Sequence, residues 1–293
     1  MNRITRSRLR SFALLLIVLI SLVGYPACGD DDVSQSMGQE GNGCPELDVV
    51  HFPDPNLEQA IRETIDKPGG EICAPDLAGL MDLYLSGCSI SDLSGLEHCV
   101  GLQWLYLDNN QITDLGPLGG LTGLSELDLC SNQITDLGPL AGLTNLELLA
   151  LHENEITDLG PLTGLVNLRL LAIHRNQITD LGPLAGLANL HVLMIQYNEI
   201  ADLEPLTGLT NLVFLDLTTN QVSEVAPLAG LINLNWLLLY NNQISDLDPL
   251  VENPGIDSGD AVGLSGNPLS SASCEDCIPE LQARGVRIDC DCP

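Results

Sequence analysis

The chain has 293 residues, with ten Lys or Arg against 40 Asp or Glu and a formal net charge of −30 at pH 7. A field of that sign repels phosphate backbones and excludes nucleic acid as a partner. Length alone suggests one or two domains, but an internal repeat can extend a single domain indefinitely and has to be looked for first.

The chain opens with basic MNRITRSRLR and apolar FALLLIVLISLVG, the two regions of an export signal. The apolar run is too short for a comfortable membrane span. Four of the ten cations, Arg3, Arg6, Arg8 and Arg10, lie in this leader, so the remainder is more acidic still. The string YPAC followed by GDDD resembles the lipobox of bacterial lipoproteins, with Tyr25 where that family usually has Leu and Pro26 where it has a small residue. The resemblance implies a signal peptide over residues 1–27, lipidation of Cys28, and attachment to the bacterial cell envelope by the lipid alone. Secretion without an anchor fits the same leader architecture. Residues 28–43 are acidic and poor in apolar side chains, as a flexible tether is.

From Asp54 the stretch DPNLEQAIRETI carries a capping residue, a Pro at the first helical position, and Leu57, Ala60, Ile61 and Ile65 on one face. This predicts a helix within an N-terminal cap spanning residues 44–79, with Cys44 and Cys73 flanking it and tying it as a disulfide.

Residues 80–255 align as eight units of 22 residues, L-x-x-L-x-L-x-x-N-x-I-x-D-L-x-P-L-x-x-L-x-x, starting at Leu80, Leu102, Leu124, Leu146, Leu168, Leu190, Leu212 and Leu234. At the seven apolar places of each unit, only Cys99 and Asn253 depart from Leu, Ile or Val. The L-x-L segment alternates as a strand with one buried face, and stacking equivalent strands makes a parallel sheet. Asn110, Asn132, Asn154, Asn176, Asn198, Asn220 and Asn242 fall where the chain turns inward, where a column of amides satisfies backbone groups of the adjacent coil. The D-L-x-P-L segment sets a short bend or 3₁₀ turn. One such unit cannot bury its apolar stripe alone, but eight can, provided the ends are covered. The pattern resembles the leucine-rich-repeat family, specifically the bacterial 22-residue, internalin-like type. It implies an α/β solenoid, a horseshoe with a concave parallel sheet and short 3₁₀ or irregular convex segments. The helix from Asp54 resembles the N-terminal cap of bacterial members.

Residues 256–293 read as an irregular ninth coil through Val262, Leu264 and Asn267, then a helix over 274–283 and a strand over 286–290 in a cysteine-rich C-terminal cap. Cysteines in an exported chain favour disulfides. Cys274 and Cys277 share the helix face of Ile278 and Leu281, and Cys290 and Cys292 the strand face of Val286 and Ile288. The four thiols are therefore predicted to meet, as two disulfides or as a zinc site. Cys88 and Cys99 occupy inward places, where they pair or pack. With Cys28 lipidated, nine cysteines remain, so at least one stays unpaired or pairs between chains.

The acid column Asp92, Asp114, Asp136, Asp158, Asp180, Asp202, Glu224 and Asp246 sits where an Asx-type turn needs it, and a calcium ladder is the rival reading. The equivalence of these acids argues against acid and base roles. Cys130, His152 and His174 take one outward place in successive units, a weak zinc or copper alternative. Nothing resembles a catalytic triad or phosphate loop, so no enzyme and no cofactor is expected.

Outside the leader and Phe52, every aromatic residue falls on an outward strand place: Tyr84, Trp104, Tyr106, Tyr197, Phe214, Trp236 and Tyr240. Leu148, Ala150, Leu170, Ala172, Val192, Met194 and Leu238 lie on the same side. β-propensity alone favours such residues on a sheet, but a large exposed apolar patch marks a contact surface. The expected function is a monomeric binding protein that takes a protein or peptide on this face. Asp82, Asp108, Glu126, Asp128 and Asp216 at its border would favour a basic rim on that partner. Carbohydrate or cell-wall binding by the same rings, and a plain structural spacer, are the alternatives.

Overall fold

The computed structural model describes Cys44 and residues 48–292, in two compact units, one ending at Glu155 and the other beginning at Ile156. The signal segment, Cys28 and the tether up to residue 43 lie outside the described residues.

The first unit begins with strand β1 (Val49–Val50), antiparallel to β2 (Ile72–Cys73). Between them runs helix α1 (Pro55–Thr64). Its first residue, Pro55, has the φ a helix needs, and the preceding Asp54 accepts the N–H groups of Asn56 at 2.9 Å and Leu57 at 3.2 Å through Oδ1. Leu57, Ala60 and Ile61 are buried, as the helical spacing predicts. A disulfide joins Cys44 to Cys73, and the short helix α2 (Ala74–Leu77) follows. The second carboxylate oxygen of Asp54 accepts the N–H groups of Ser91 at 2.8 Å and Asp92 at 3.3 Å, which fastens the cap to the first coil. Burial raises the pKa of Asp54, but the N–H donors of Ser91, Leu57, Asp92 and Asn56 outweigh it and hold the carboxyl below its ordinary value.

Strands β3 (Asp82–Tyr84), β4 (Trp104–Tyr106), β5 (Glu126–Asp128) and β6 (Leu148–Ala150) then pair in parallel and in sequence order. Their register sets Asp82 beside Trp104, Trp104 beside Glu126 and Glu126 beside Leu148, so each place meets the same place one repeat later. Leu83, Leu105, Leu127 and Leu149 form one buried row. The expected amide column is present: Asn132 donates to the carbonyls of Leu107 and Leu129 and accepts the N–H of Ile112, each at 3.0 Å. On the opposite side, 3₁₀ turns over Gly116–Leu118 and Gly138–Gly142 carry Pro in their first positions. Asp114 and Asp136 accept the N–H of Gly116 and Gly138 at 2.8 Å, which is the turn role expected of the acid column.

The second unit repeats the scheme with β7 (Leu170–Ala172), β8 (Val192–Met194), β9 (Phe214–Asp216), β10 (Trp236–Leu238), β11 (Ala261–Gly263) and β12 (Arg287–Asp289), all parallel and in order. Its last regular turn is a short helix, α3 (Asp248–Glu252). Asn253, the polar residue at an apolar place, is fully buried and donates to the carbonyls of Leu228 at 2.9 Å and Leu231 at 3.2 Å while accepting the N–H of Gly255. Its amide closes the backbone where the repeat ends, so its polarity costs little.

Immediately before the amide column a non-glycine residue adopts a left-handed backbone in seven successive coils, Asn109, Ser131, Glu153, Arg175, Tyr197, Thr219 and Asn241, with φ between 52° and 57°, while Gly87 and Gly266 take this place in the first and ninth coils. The N–H groups of Asn109 and Tyr197, for example, donate to the carbonyls of Cys130 and Thr218 one coil on.

The C-terminal cap consists of a wide, π-type turn over Ser273–Cys277 that runs into α4 (Ile278–Ala283), followed by β12. Cys274 bonds to Cys292, giving one bridge where two were expected. Cys277 is a buried free thiol donating to Asp248 at 3.3 Å, and Cys290, just past β12, is a half-buried free thiol. Face sharing brings the four cysteines into one cap but does not fix their heights along it. With two of the four consumed in a disulfide, the zinc alternative lacks its ligand set. Cys88 and Cys99 are both buried, and Cys99 is a free thiol, so the two do not pair.

Candidate functional site

In the first unit the outward places form two adjacent rows: Asp82, Trp104, Glu126 and Leu148 in one, Tyr84, Tyr106, Asp128 and Ala150 in the other. Tyr84 and Tyr106 stack with ring centroids 5.1 Å apart and planes 4° from parallel. The Tyr106 hydroxyl donates to Glu126 at 2.8 Å, and the Ser86 hydroxyl donates to Asp108. Tyr84 is 44% exposed and Trp104 37%, so both rings face solvent beside these carboxylates. Burial pushes the Asp128 carboxyl up to about 6; the Cys130 N–H that it accepts pulls it down, and the charge of Asp108 adds to the rise. The row ends differently from the expectation: Leu148 is half-buried and Ala150 buried.

In the second unit the sequence-derived face divides. Met194, Trp236, Leu238 and Tyr240 are half-buried and Tyr197 is exposed, but Leu170, Ala172, Val192 and Phe214 are buried, from 0% to 8% exposed. These four, expected as exposed contacts, are buried in the structure. Alternation in a strand decides which face a side chain takes, but carries no information on what lies above that face.

Two of the remaining rings carry a guanidinium from the chain itself. Arg175 lies over Tyr197 at 4.7 Å, and Arg287 over Trp236 at 5.1 Å. The Tyr240 hydroxyl donates to Asp289 at 3.0 Å. Its ring approaches Gly263 so closely that a Cβ there would come within 2.2 Å of it, so a larger residue would displace the ring. Trp236, Tyr240, Arg287 and Asp289 line a cleft of about 170 Å³. Arg287 and Asp289 were not among the predicted contacts. Their signal was available, because they are the outward alternates of the strand predicted over 286–290.

Cys130 is a buried thiol pushed up in pKa by burial and then by Asp128. Burial lowers the pKa of His152, against the opposing pull of Glu153 and Asp108. His174 belongs to the other unit. Among the described residues, no group of three His, Cys, Asp or Glu side chains is placed to hold a metal ion.

Parallel strands at a 22-residue register, an inward amide column and 3₁₀ turns define a leucine-rich-repeat protein. The family described as Leucine Rich repeats (2 copies) matches residues 100–142 and 188–230, and Leucine rich repeat matches residues 122–178. The crystal structure of internalin C2 from Listeria monocytogenes is 37% identical, with a TM-score of 0.67 over 75% of this chain and 93% of its own. The chain belongs to the internalin-like leucine-rich-repeat proteins. A leucine-rich-repeat protein of Leptospira interrogans is 25% identical over 74% of this chain and 62% of its own, with a TM-score of 0.61. The ectodomain of the Arabidopsis thaliana receptor kinase GASSHO1/SCHENGEN3, solved in complex with CASPARIAN STRIP INTEGRITY FACTOR 2, is 26% identical over 67% of this chain and 25% of its own, with a TM-score of 0.57. No curated protein matches the sequence. The fold is typically a binding scaffold, and the disulfides are those of a chain outside the reducing cytoplasm.

Proposed function

We propose that the chain is an exported, lipid-anchored binding protein that recognises a protein or peptide on the outward faces of its strands, with no chemistry of its own. The observation that carries this reading is the exposure of Tyr84, Trp104 and Tyr197. The inward side is already filled by Leu, so these rings add little to the fold, and Trp and Tyr dominate contact hot spots. Trp104, Tyr106 and Leu148 are the proposed contacts of the first unit, and Met194, Tyr197, Trp236, Leu238 and Tyr240 those of the second. Leu170, Val192 and Phe214 lie on the same face but are buried, so they are not among the proposed contacts. The Arabidopsis ectodomain, solved with a bound factor, supports a binding role for such a scaffold.

A photo-crosslinking residue placed at Tyr84 in cells, with one at Asp136 on the turn side as control, tests the reading. A protease-sensitive adduct at position 84 alone is the expected result. A saturable glycan ligand without a protein adduct would replace it with carbohydrate binding, and neither would leave a spacer. The anchor has its own test: Cys28→Ala should move the protein out of the membrane fraction, and unchanged retention would refute lipidation.

A further inference from the structure

We infer that the outward face of β3–β5 docks a basic segment of a polypeptide partner, seating an Arg or Lys side chain over Trp104 and the stacked Tyr84 and Tyr106, with Asp82, Asp108, Glu126 and Asp128 as counter-charges. This deepens the reading above and rests on it.

Charge is the first argument. Between Lys67 and Arg169 the sequence contains no Lys or Arg, while the strands and turns of that stretch carry acid after acid. Register is the second, because it concentrates the acids around the rings: Trp104 stands between Asp82 and Glu126 in its row, and Tyr106 between Tyr84 and Asp128 in the next. Ring faces are negative, so rings edged by carboxylates favour a cation above them and disfavour an anion.

The third argument comes from the second unit, where the chain completes the same chemistry by itself. Arg287 lies over Trp236 with Asp289 two residues on, and Arg175 lies over Tyr197. The β3–β5 segment repeats the aromatic and acidic parts of that arrangement around Trp104, in a stretch of sequence, 68–168, that contains no Lys or Arg. A planar guanidinium stacks on rings and forks to carboxylates, so Arg fits better than Lys.

Asp128 adds a dependence on acidity. It is flanked by Asp108 and Tyr106 from the β4 coil, by Glu126 and Cys130 on its own coil, and by Ala150 of β6, with His152 near Asp108. Its carboxyl, raised to about 6 by burial, loses its charge as the pH falls through that value, and the cation loses a partner.

The test uses the folded exported protein carrying Trp236→Phe, so that Trp104 is its one indole, and a blocked hexa-arginine peptide as probe at about 0.15 M salt. Saturable quenching is expected with hexa-arginine, weaker with hexa-lysine, and absent with the neutral, near-isosteric hexa-citrulline. By calorimetry, Trp104→Ala should weaken binding about tenfold and Trp104→Phe by much less, while Asp136→Asn on the turn side should change it less than about twofold. Affinity should also fall between pH 7 and pH 5. Equal binding of hexa-citrulline would overturn the cation. Equal losses in Trp104→Ala and Asp136→Asn would reduce the effect to diffuse charge and overturn the site. If the adduct at position 84 forms but hexa-arginine does not compete with it, the face is an interface and the cation proposal fails. If no adduct forms there, the wider reading fails too.

Discussion

Asp54 holds two structures at once, capping α1 with one carboxylate oxygen and accepting the N–H groups of Ser91 and Asp92 with the other. Asp54→Ala should therefore cost more than an ordinary cap, about 2 to 3 kcal/mol in thermal or urea unfolding, because N–H groups are orphaned on both sides. Its folded pKa lies below the ordinary carboxylate value, so its contribution is complete above that range and is lost as the pH falls through the folded pKa. Unfolding curves of the parent should steepen in acid relative to Asp54→Asn, and identical pH profiles would remove this assignment. Cys99 is pushed up to about 12 by burial and then by Glu97, so it should resist alkylation in the native state. Half-buried Cys290 should react first, which mass spectrometry of pulse-labelled protein would show.

At the scale of elements, the coil is the unit of stability. Leu149→Ala opens a cavity between stacked rows and should cost about 2 to 5 kcal/mol, whereas Trp104→Ala removes an exposed ring and should shift the melting temperature little. In the C-terminal cap, peptide mapping of the non-reduced protein should find Cys274 linked to Cys292 and Cys277 as a thiol, since burial and Asp248 push that group up to about 11. A Cys277–Cys290 bridge would contradict this. The coils were legible because three independent constraints, the Leu spacing, the column of Asn amides and the acid-then-Pro turn, recur together in seven of the eight units and allow one register. The cap bridge was only half legible, since shared faces do not measure the distance between two sulfurs. The site was legible as a direction and not as an exposure: Trp104 and Tyr84 face outward into solvent, but Leu170 and Phe214 face outward and are covered.

Across the whole molecule, a formal charge of −30 sets a repulsion that every fold element shares. Raising salt from about 0.01 M to about 0.5 M should raise the melting temperature, and a flat response would mean that this repulsion is relieved locally. The left-handed residues preceding the amide column have a consequence of a different kind. A residue with a Cβ costs about 1 kcal/mol more than glycine in that conformation, yet not one of Asn109, Ser131, Glu153, Arg175, Tyr197, Thr219 and Asn241 is glycine. Each of these seven coils therefore carries a small, separate reserve of stability, reachable without touching the core. Thr219→Gly should raise stability by about 1 kcal/mol, and combined with Ser131→Gly the gains should add, because the two sites belong to separate coils of separate units. Tyr197→Gly would release the same strain and lose the seat of Arg175. The border of the sheet thus becomes a column in which the protein can gain side chains for recognition or relax its backbone, one coil at a time, with the hydrophobic register unchanged.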